Sequence, residues 1–170
     1  KADVDLAVSE AIKSKNYSSQ NTEIAFFGGS FTAIDRDYML TLLSAAYKYV
    51  GNKTVKGIRI STRPDCINEE ILETLKSYGV TAIELGAQSM VDQVLKLNDR
   101  GLTANDVITA SNLIKEYGFE LGLQMMTGLY SDNDEGSIYT AKQLIALKPA
   151  TVRIYPTIVL KNTRLENLYI

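Results

Sequence analysis

The sequence predicts an α/β fold built on a parallel sheet. Two observations carry this reading: short apolar runs rich in β-branched and aromatic residues recur along the chain, and between them lie segments with apolar residues at helical spacing. Strict alternation of the two element types calls for right-handed crossovers between parallel strands, and apolar character on both strand faces suits either a barrel or a doubly wound sheet. The length, 170 residues with 45% hydrophobic and 22% charged content, is that of one globular domain.

Taken in order, Val4, Ala7, Val8, Ala11 and Ile12 form one face of a first helix. Residues 23–27, 56–60, 81–85, 120–126 and 151–155 read as the strands. After the first strand, Asp35 is a fitting N-cap for a helix carrying Met39, Leu42, Leu43, Ala46 and Val50, with Gly51 as its stop. After the second, Asn68 caps a helix whose Glu69 and Glu70 meet the positive end of the dipole and which closes at Gly79. Residues 91–97 make a short segment before a capping box of Thr103 and Asp106, which opens a helix through Val107, Ala110, Ile114 and Tyr117 to Gly118. Asn133 or Asp134 caps the last helix, through Ile138, Ala141, Leu144 and Ile145, and Lys148-Pro149 ends it.

Composition narrows the chemistry. Eighteen Lys+Arg against twenty Asp+Glu leave a net charge of −2, so there is no basic field for polynucleotide binding by charge alone. With Cys66 the lone cysteine and no histidine, the chain has no disulfide, no structural zinc set and no histidine base of its own. No apolar run approaches the roughly 18 residues that span a bilayer, so no membrane partner is expected and a reducing cytosol is the expected location. The opening Lys1, in place of Met, suggests a trimmed fragment.

In either parallel architecture, functional groups gather where the strands end and the βα loops converge. Gly28-Gly29 after the first strand permits a sharp turn and close ligand approach to the main chain, or is simply a tight turn. Arg63-Pro64-Asp65 after the second is either a ligand-facing pair or an ion pair closing a loop. Cys66 reads as a small apolar residue, since no histidine is present to activate it. Gln88 offers an amide for ligand hydroxyls or ring nitrogens, or caps a helix; Arg100 suits a carboxylate, or is solvated. Met125 and Met126 lead into Thr127-Gly128 as a soft wall or as core, and Tyr155-Pro156 lines a cavity or caps the sheet.

Together, Phe26-Phe27-Gly28-Gly29-Ser30-Phe31-Thr32, Ile60-Ser61-Thr62-Arg63-Pro64-Asp65, Glu84-Leu85-Gly86-Ala87-Gln88-Ser89, Asn98-Asp99-Arg100-Gly101-Leu102-Thr103 and Met125-Met126-Thr127-Gly128-Leu129 resemble, in order and spacing, the radical S-adenosylmethionine (radical SAM) superfamily. The likeness spans nearly the whole chain. It is strongest to the branch that holds the catalytic subunit of elongator and the oxygen-independent coproporphyrinogen III oxidases. The resemblance implies a partial TIM barrel of the (β/α)6 radical SAM type, with a [4Fe–4S] cluster and S-adenosylmethionine at its mouth. It also implies that residues 1–170 are a single truncated core domain: the first strand and the Cys-x-x-x-Cys-x-x-Cys cluster loop are missing, and Cys66 alone does not hold a cluster.

Carried over by position, Gly28 and Gly29, with Ser30 beside them, resemble the segment whose backbone meets the methionine amino group. Gln88 resembles a glutamine facing the cofactor, Arg100 an arginine for the methionine carboxylate, and Thr127-Gly128 the strand end near adenine. Arg63 matches an elongator-like motif and is grouped with these cofactor-binding residues. No catalytic residue and no metal ligand is expected in the chain itself. Gln124, where the coproporphyrinogen branch favours aspartate, and Leu129-Tyr130-Ser131-Asp132, in place of a Leu-Pro-Gly-Asp-like turn, depart from the pattern. The intact enzyme would take one electron from a donor and cleave S-adenosylmethionine to methionine and a 5′-deoxyadenosyl radical. The fragment alone would be inactive. Its substrate is left open between a small molecule and a tRNA, and its exposed first-strand edge favours self-association. The alternatives are a non-catalytic barrel-like scaffold, or a lyase with a Schiff-base lysine, against which no lysine stands at a strand end.

Overall fold

The computed structural model describes residues 2–169. Helix α1 (Ala2–Ile12) leads to β1 (Glu23–Phe26), followed by α2 (Arg36–Gly51), β2 (Gly57–Thr62), α3 (Glu69–Ser77), β3 (Val80–Gln88), α4 (Asp92–Leu97), α5 (Ala104–Glu116), β4 (Glu120–Thr127), α6 (Asp134–Ala146), β5 (Thr151–Pro156) and a terminal turn of helix, α7 (Arg164–Tyr169). All neighbouring strands pair in parallel, in the order β1-β2-β3-β4-β5. A doubly wound sheet reverses its strand order at a switch point. Here there is none, so the chain winds as part of a barrel.

Local chemistry starts the helices where the sequence places them. Asp35 accepts from the Tyr38 amide at 2.9 Å, Asn68 from Ile71 at 2.9 Å and Asn133 from Gly136 at 2.8 Å, while Thr103 and Asp106 close a reciprocal capping box. One stop differs: α2 runs through Gly51, and its Asn52 cap donates back to Lys48 and Val50 before Lys53, at φ 62°, turns the chain away. Helix α7 has no counterpart in the sequence reading. It is six residues long and carries no buried residue, and one turn holding Leu165 and Leu168 is too short to show a helical period.

The expected two-sided apolar strands are also corrected. Ile58, Ile60, Ile83, Leu85, Leu121, Leu123 and Met125 join the core that the helices cover. The alternate residues face inward and, in the middle of the sheet, are charged or small, as Arg59, Ser61, Glu84, Gly86 and Gly122 are. Arg59 on β2 reaches Glu23 on β1 at 3.0 Å, Glu84 on β3 at 3.5 Å and Glu120 on β4 at 2.8 Å, and Arg153 on β5 reaches Glu84 at 3.0 Å. Side chains of a flat sheet stand side by side, so convergence of all five strands on one network reports a curled sheet. Gly122 makes room for it, because a Cβ there would lie 2.8 Å from Glu84 Cγ. Burial works against the Arg59 charge, but its bonds to Glu120 and Glu23 outweigh that and raise its pKa.

On the far side of β1, α1 leaves a groove of about 500 Å³ lined by Val4, Ala7, Val8, Ile24 and Phe26 among others. The outer edge of β1 pairs with no strand among the described residues, and no helix among them is long and apolar enough to cross a membrane.

The interior network generates a stability prediction. Glu84 is 4% exposed and Arg59 14%, and removing one partner of a buried ion pair strands the others without compensation. Arg59→Ala is expected to lower unfolding free energy by about 3–5 kcal/mol in a urea titration. A loss under about 1 kcal/mol would mean that the network does not hold the curl.

Candidate functional site

The carboxyl ends of the strands open on a cavity of about 640 Å³. Six of the sequence-selected residues line it: Gly28, Gly29, Ser30, Arg63, Gln88 and Arg100. Thr127 and Gly128 do not. Gln124, Tyr155, Phe27 and Arg153 complete much of the wall. Phe27 and Arg153 escaped the sequence reading; Arg153 lies two residues before Tyr155 on β5, and strand alternation would have placed both on one face.

Gly28 and Gly29 take φ of 102° and 143°, which side chains rarely adopt, and a Cβ on either would meet nothing within 4 Å. Beyond Ser30, Phe31 stacks on Phe26 with ring centroids 4.8 Å apart. The Thr32 hydroxyl shares a hydrogen bond with that of Thr62 at 2.6 Å and donates to the Cys66 carbonyl at 2.9 Å. These contacts fix the first loop against the second.

In that second loop, Arg63 Nε and Nη2 donate to the two carboxylate oxygens of Asp65 at 2.9 and 2.5 Å. The loop-closing ion pair is therefore formed, and the bond to Asp65 raises the Arg63 pKa. Burial pushes the Cys66 thiol up, the Asp65 carboxylate adds to the rise, and Arg63 opposes it. A thiol shifted this way stays protonated at neutral pH, in line with an inert cysteine.

Arg100 is held by its neighbours. Asp99 and Gly101 on either side have φ of 51° and 65°, and the Arg100 amide donates to Leu95 O at 3.0 Å. The Asn98 amide bridges to Tyr130, donating to its carbonyl at 3.0 Å and accepting from its N–H at 3.1 Å, which locks this loop to the one after β4. Within the cavity, Arg100 Nη2 has the Met126 sulfur at 3.1 Å, a weak acceptor, and the buried Nε has no partner among the described residues. Burial lowers the Arg100 pKa and the nearby Arg63 charge adds to the effect. A guanidinium nonetheless stays charged, so this one lacks an anion.

Gln88 has φ of 65°, and the β3–β4 register skips between Gly86 and Gln88. Such a bulge re-aims a side chain at the end of a strand. The Gln88 amide folds over Gly86, where a Cβ would lie 2.7 Å from its Nε2, and accepts from Gln124 at 3.4 Å.

Thr127 and Gly128 lie between Met126 and Leu129, which line a second, smaller cavity that they themselves do not line. Thr127 O accepts from the Thr157 amide at 2.8 Å, and Gly128 O from the Tyr169 hydroxyl at 2.7 Å. That cavity, of about 250 Å³, is lined by Arg100, Met126, Leu129, Thr157, Ile158 and Leu165 among others. The buried Thr157 hydroxyl oxygen has no partner among the described residues. Arg164 of α7 pairs with Asp99 and so fastens α7 across the Arg100 loop. Among the described residues there is no group of three or more His, Cys, Asp or Glu suited to a metal ion. Cys66 is the one thiol of the sequence, and an iron–sulfur cluster needs several thiolates, so this chain's residues do not fit such a cluster by themselves.

Comparison with known proteins gives a consistent picture. The family model of the Radical SAM superfamily matches residues 3–144. The chain is 26% identical over 175 residues to a tRNA uridine(34) acetyltransferase of Dehalococcoides mccartyi, covering 91% of this chain and 38% of that protein. It is 30% identical over 180 residues to human Elongator complex protein 3, covering 94% of this chain and 33% of that protein. The solved structure of the archaeal Methanocaldococcus infernus Elp3 with an N-terminal deletion superposes with a TM-score of 0.84 at 24% identity, over 99% of this chain and 44% of that one. The chain thus spans a third to under half of the length of these relatives.

Proposed function

The chain belongs to the radical SAM superfamily, and from that premise we propose that its cavity binds S-adenosylmethionine between the Gly28-Gly29 turn and Arg100. One observation carries this reading: a half-buried, charged guanidinium, whose buried Nε has no partner among the described residues, lines a cavity large enough for a nucleoside-containing ligand. The methionine carboxylate is the anion that Arg100 lacks. The open main chain at Gly28, Gly29 and Ser30 meets the amino group, and Gln88, re-aimed by the bulge, reaches a hydroxyl or ring nitrogen. Arg63, fixed by Asp65, shapes the wall beside Arg100. The adenine lies toward the second cavity, where Thr127 sets the position of Thr157, whose buried hydroxyl has no partner among the described residues, and Gly128 holds Tyr169.

Family membership makes S-adenosylmethionine and a [4Fe–4S] cluster the cofactors. The cluster supplies the electron for reductive cleavage of S-adenosylmethionine, and cysteines other than this chain's own must hold it. The chain by itself is inactive, as the cofactor-facing part of a longer protein that also engages an electron donor. For the substrate, similarity to tRNA uridine(34) acetyltransferases favours a tRNA over a small molecule. The free edge of β1, with its apolar groove, also makes the isolated chain self-associate by strand pairing with a second copy.

Three outcomes are expected. In calorimetric titrations with S-adenosylmethionine, Arg100→Ala should weaken binding by about 1.5–3 kcal/mol, and Gly29→Val, which fills the open approach, should also weaken it. Unchanged affinity in both would refute the site. Anaerobic reconstitution of the chain should give no stoichiometric iron or sulfide; a four-iron cluster per chain would overturn the division of labour. Sedimentation should show concentration-dependent dimers, lost when Ile24 is replaced by Pro at the strand edge. A monomer at all concentrations removes the edge-pairing proposal.

A further inference from the structure

Where the two edge strands approach each other across the barrel mouth, the cavity rim is aromatic. Phe27, just past β1, is 52% exposed, and Tyr155, near the end of β5, is 42% exposed, although both line the cavity. Between them the Arg153 guanidinium lies 5.0 Å from the Phe27 ring centroid and is tied from below to Glu84 at 3.0 Å. Arg153 and Tyr155, two residues apart on one strand, share a face. Nothing in the cofactor reading uses these three side chains. Large aromatic rings left half in water beside a ligand cavity are costly to hydrate and ready to be covered.

We propose that Phe27, Arg153 and Tyr155 form a stacking platform for one unpaired nucleobase of an RNA substrate, holding it at the rim above the cofactor. This rests on the tRNA reading given above and goes further by assigning the residues that grip the base. Single-stranded RNA is recognised by splaying a base onto aromatic rings and arginine planes, the two surfaces present here. The charge pattern separates this mode from backbone binding. Arg153 is neutralised by Glu84 and Arg63 by Asp65, while the remaining cation of the cavity, Arg100, is half-buried in its wall. With a net charge of −2 on the chain, the grip on RNA comes from the base and not from phosphates. Binding through the platform is therefore nearly independent of salt, unlike a site built on phosphate contacts.

The test is a fluorescence anisotropy titration of the chain, in the presence of S-adenosylmethionine, with two stem-loop RNAs that differ only in an unpaired loop nucleotide. One carries a uridine there and the other an abasic residue. The uridine loop should bind roughly tenfold tighter, with little change on raising salt. Phe27→Leu and Tyr155→Leu, which keep apolar bulk at exposed positions, should each erase most of that difference, and Phe27→Tyr should retain it. If the wild-type chain binds neither RNA, the tRNA reading fails and the platform with it. If it prefers the uridine loop and both leucine variants keep the full preference, the RNA reading stands and the platform is overturned. A steep fall of the preference with salt would likewise overturn it in favour of phosphate contacts.

Discussion

The guanidinium of Arg59 is the constraint on which the architecture rests. From one strand it reaches carboxylates on three others, and the third of these, Glu84, is shared with Arg153 on the fifth. A buried cation that needs several anions forces those strands to bend toward it, whereas apolar packing on the helix side is satisfied by many curvatures. The curl brings the strand ends into one rim, and the rim turns scattered loops into a single cavity. Gly122 belongs to the same constraint, since any side chain there would displace Glu84.

Elements decided by contacts a few residues long were legible in the sequence. Asp35, Asn68, Thr103 and Asn133 all cap helices, because an N-cap needs only its own next turn. The alternation of elements and the placing of glycine, glutamine and arginine at strand ends were legible for the same reason. What pairing over distance decides was not. Arg59 and Glu84 look like isolated charges in apolar runs until the curl joins them, so strands apolar on one face read as apolar on both. Strand β3 extends beyond residue 85 because β4 pairs with it through a bulge. Arg153 and Phe27 lie far apart in sequence and meet only because the first and last strands face each other. Thr127 and Gly128 sit at the expected strand end, but their carbonyls are spent on Thr157 and Tyr169 and they stand off the main cavity wall.

The site itself is positioned by loops braced against one another. Thr32 joins the first loop to the second, and Asn98 joins the Arg100 loop to the one after β4. Arg100 is thereby presented with little freedom, its backbone set by left-handed neighbours and its head group in a low-dielectric wall. For the proposed ligand, such preorganisation would let a carboxylate gain the full charge-assisted contact without first ordering the arginine. The half-buried guanidinium, with its Nε unpartnered among the described residues, is a cost to stability of the kind that is common where function is located.

The sequential order of the strands sets how the fold behaves as a cooperative system. Among the described residues each strand pairs through its backbone only with the strand before and the strand after it, so backbone pairing alone would couple the sheet as a one-dimensional array, free to fray from either end. The interior ions add couplings that skip positions: Arg59 joins the second strand to the fourth, and Arg153 joins the fifth to the third and touches the residue following the first. Those cross-links convert a chain of neighbours into a closed circuit, in which loosening either end strand is felt at the other. The rim where those ends meet then responds as one body to whatever fills the mouth.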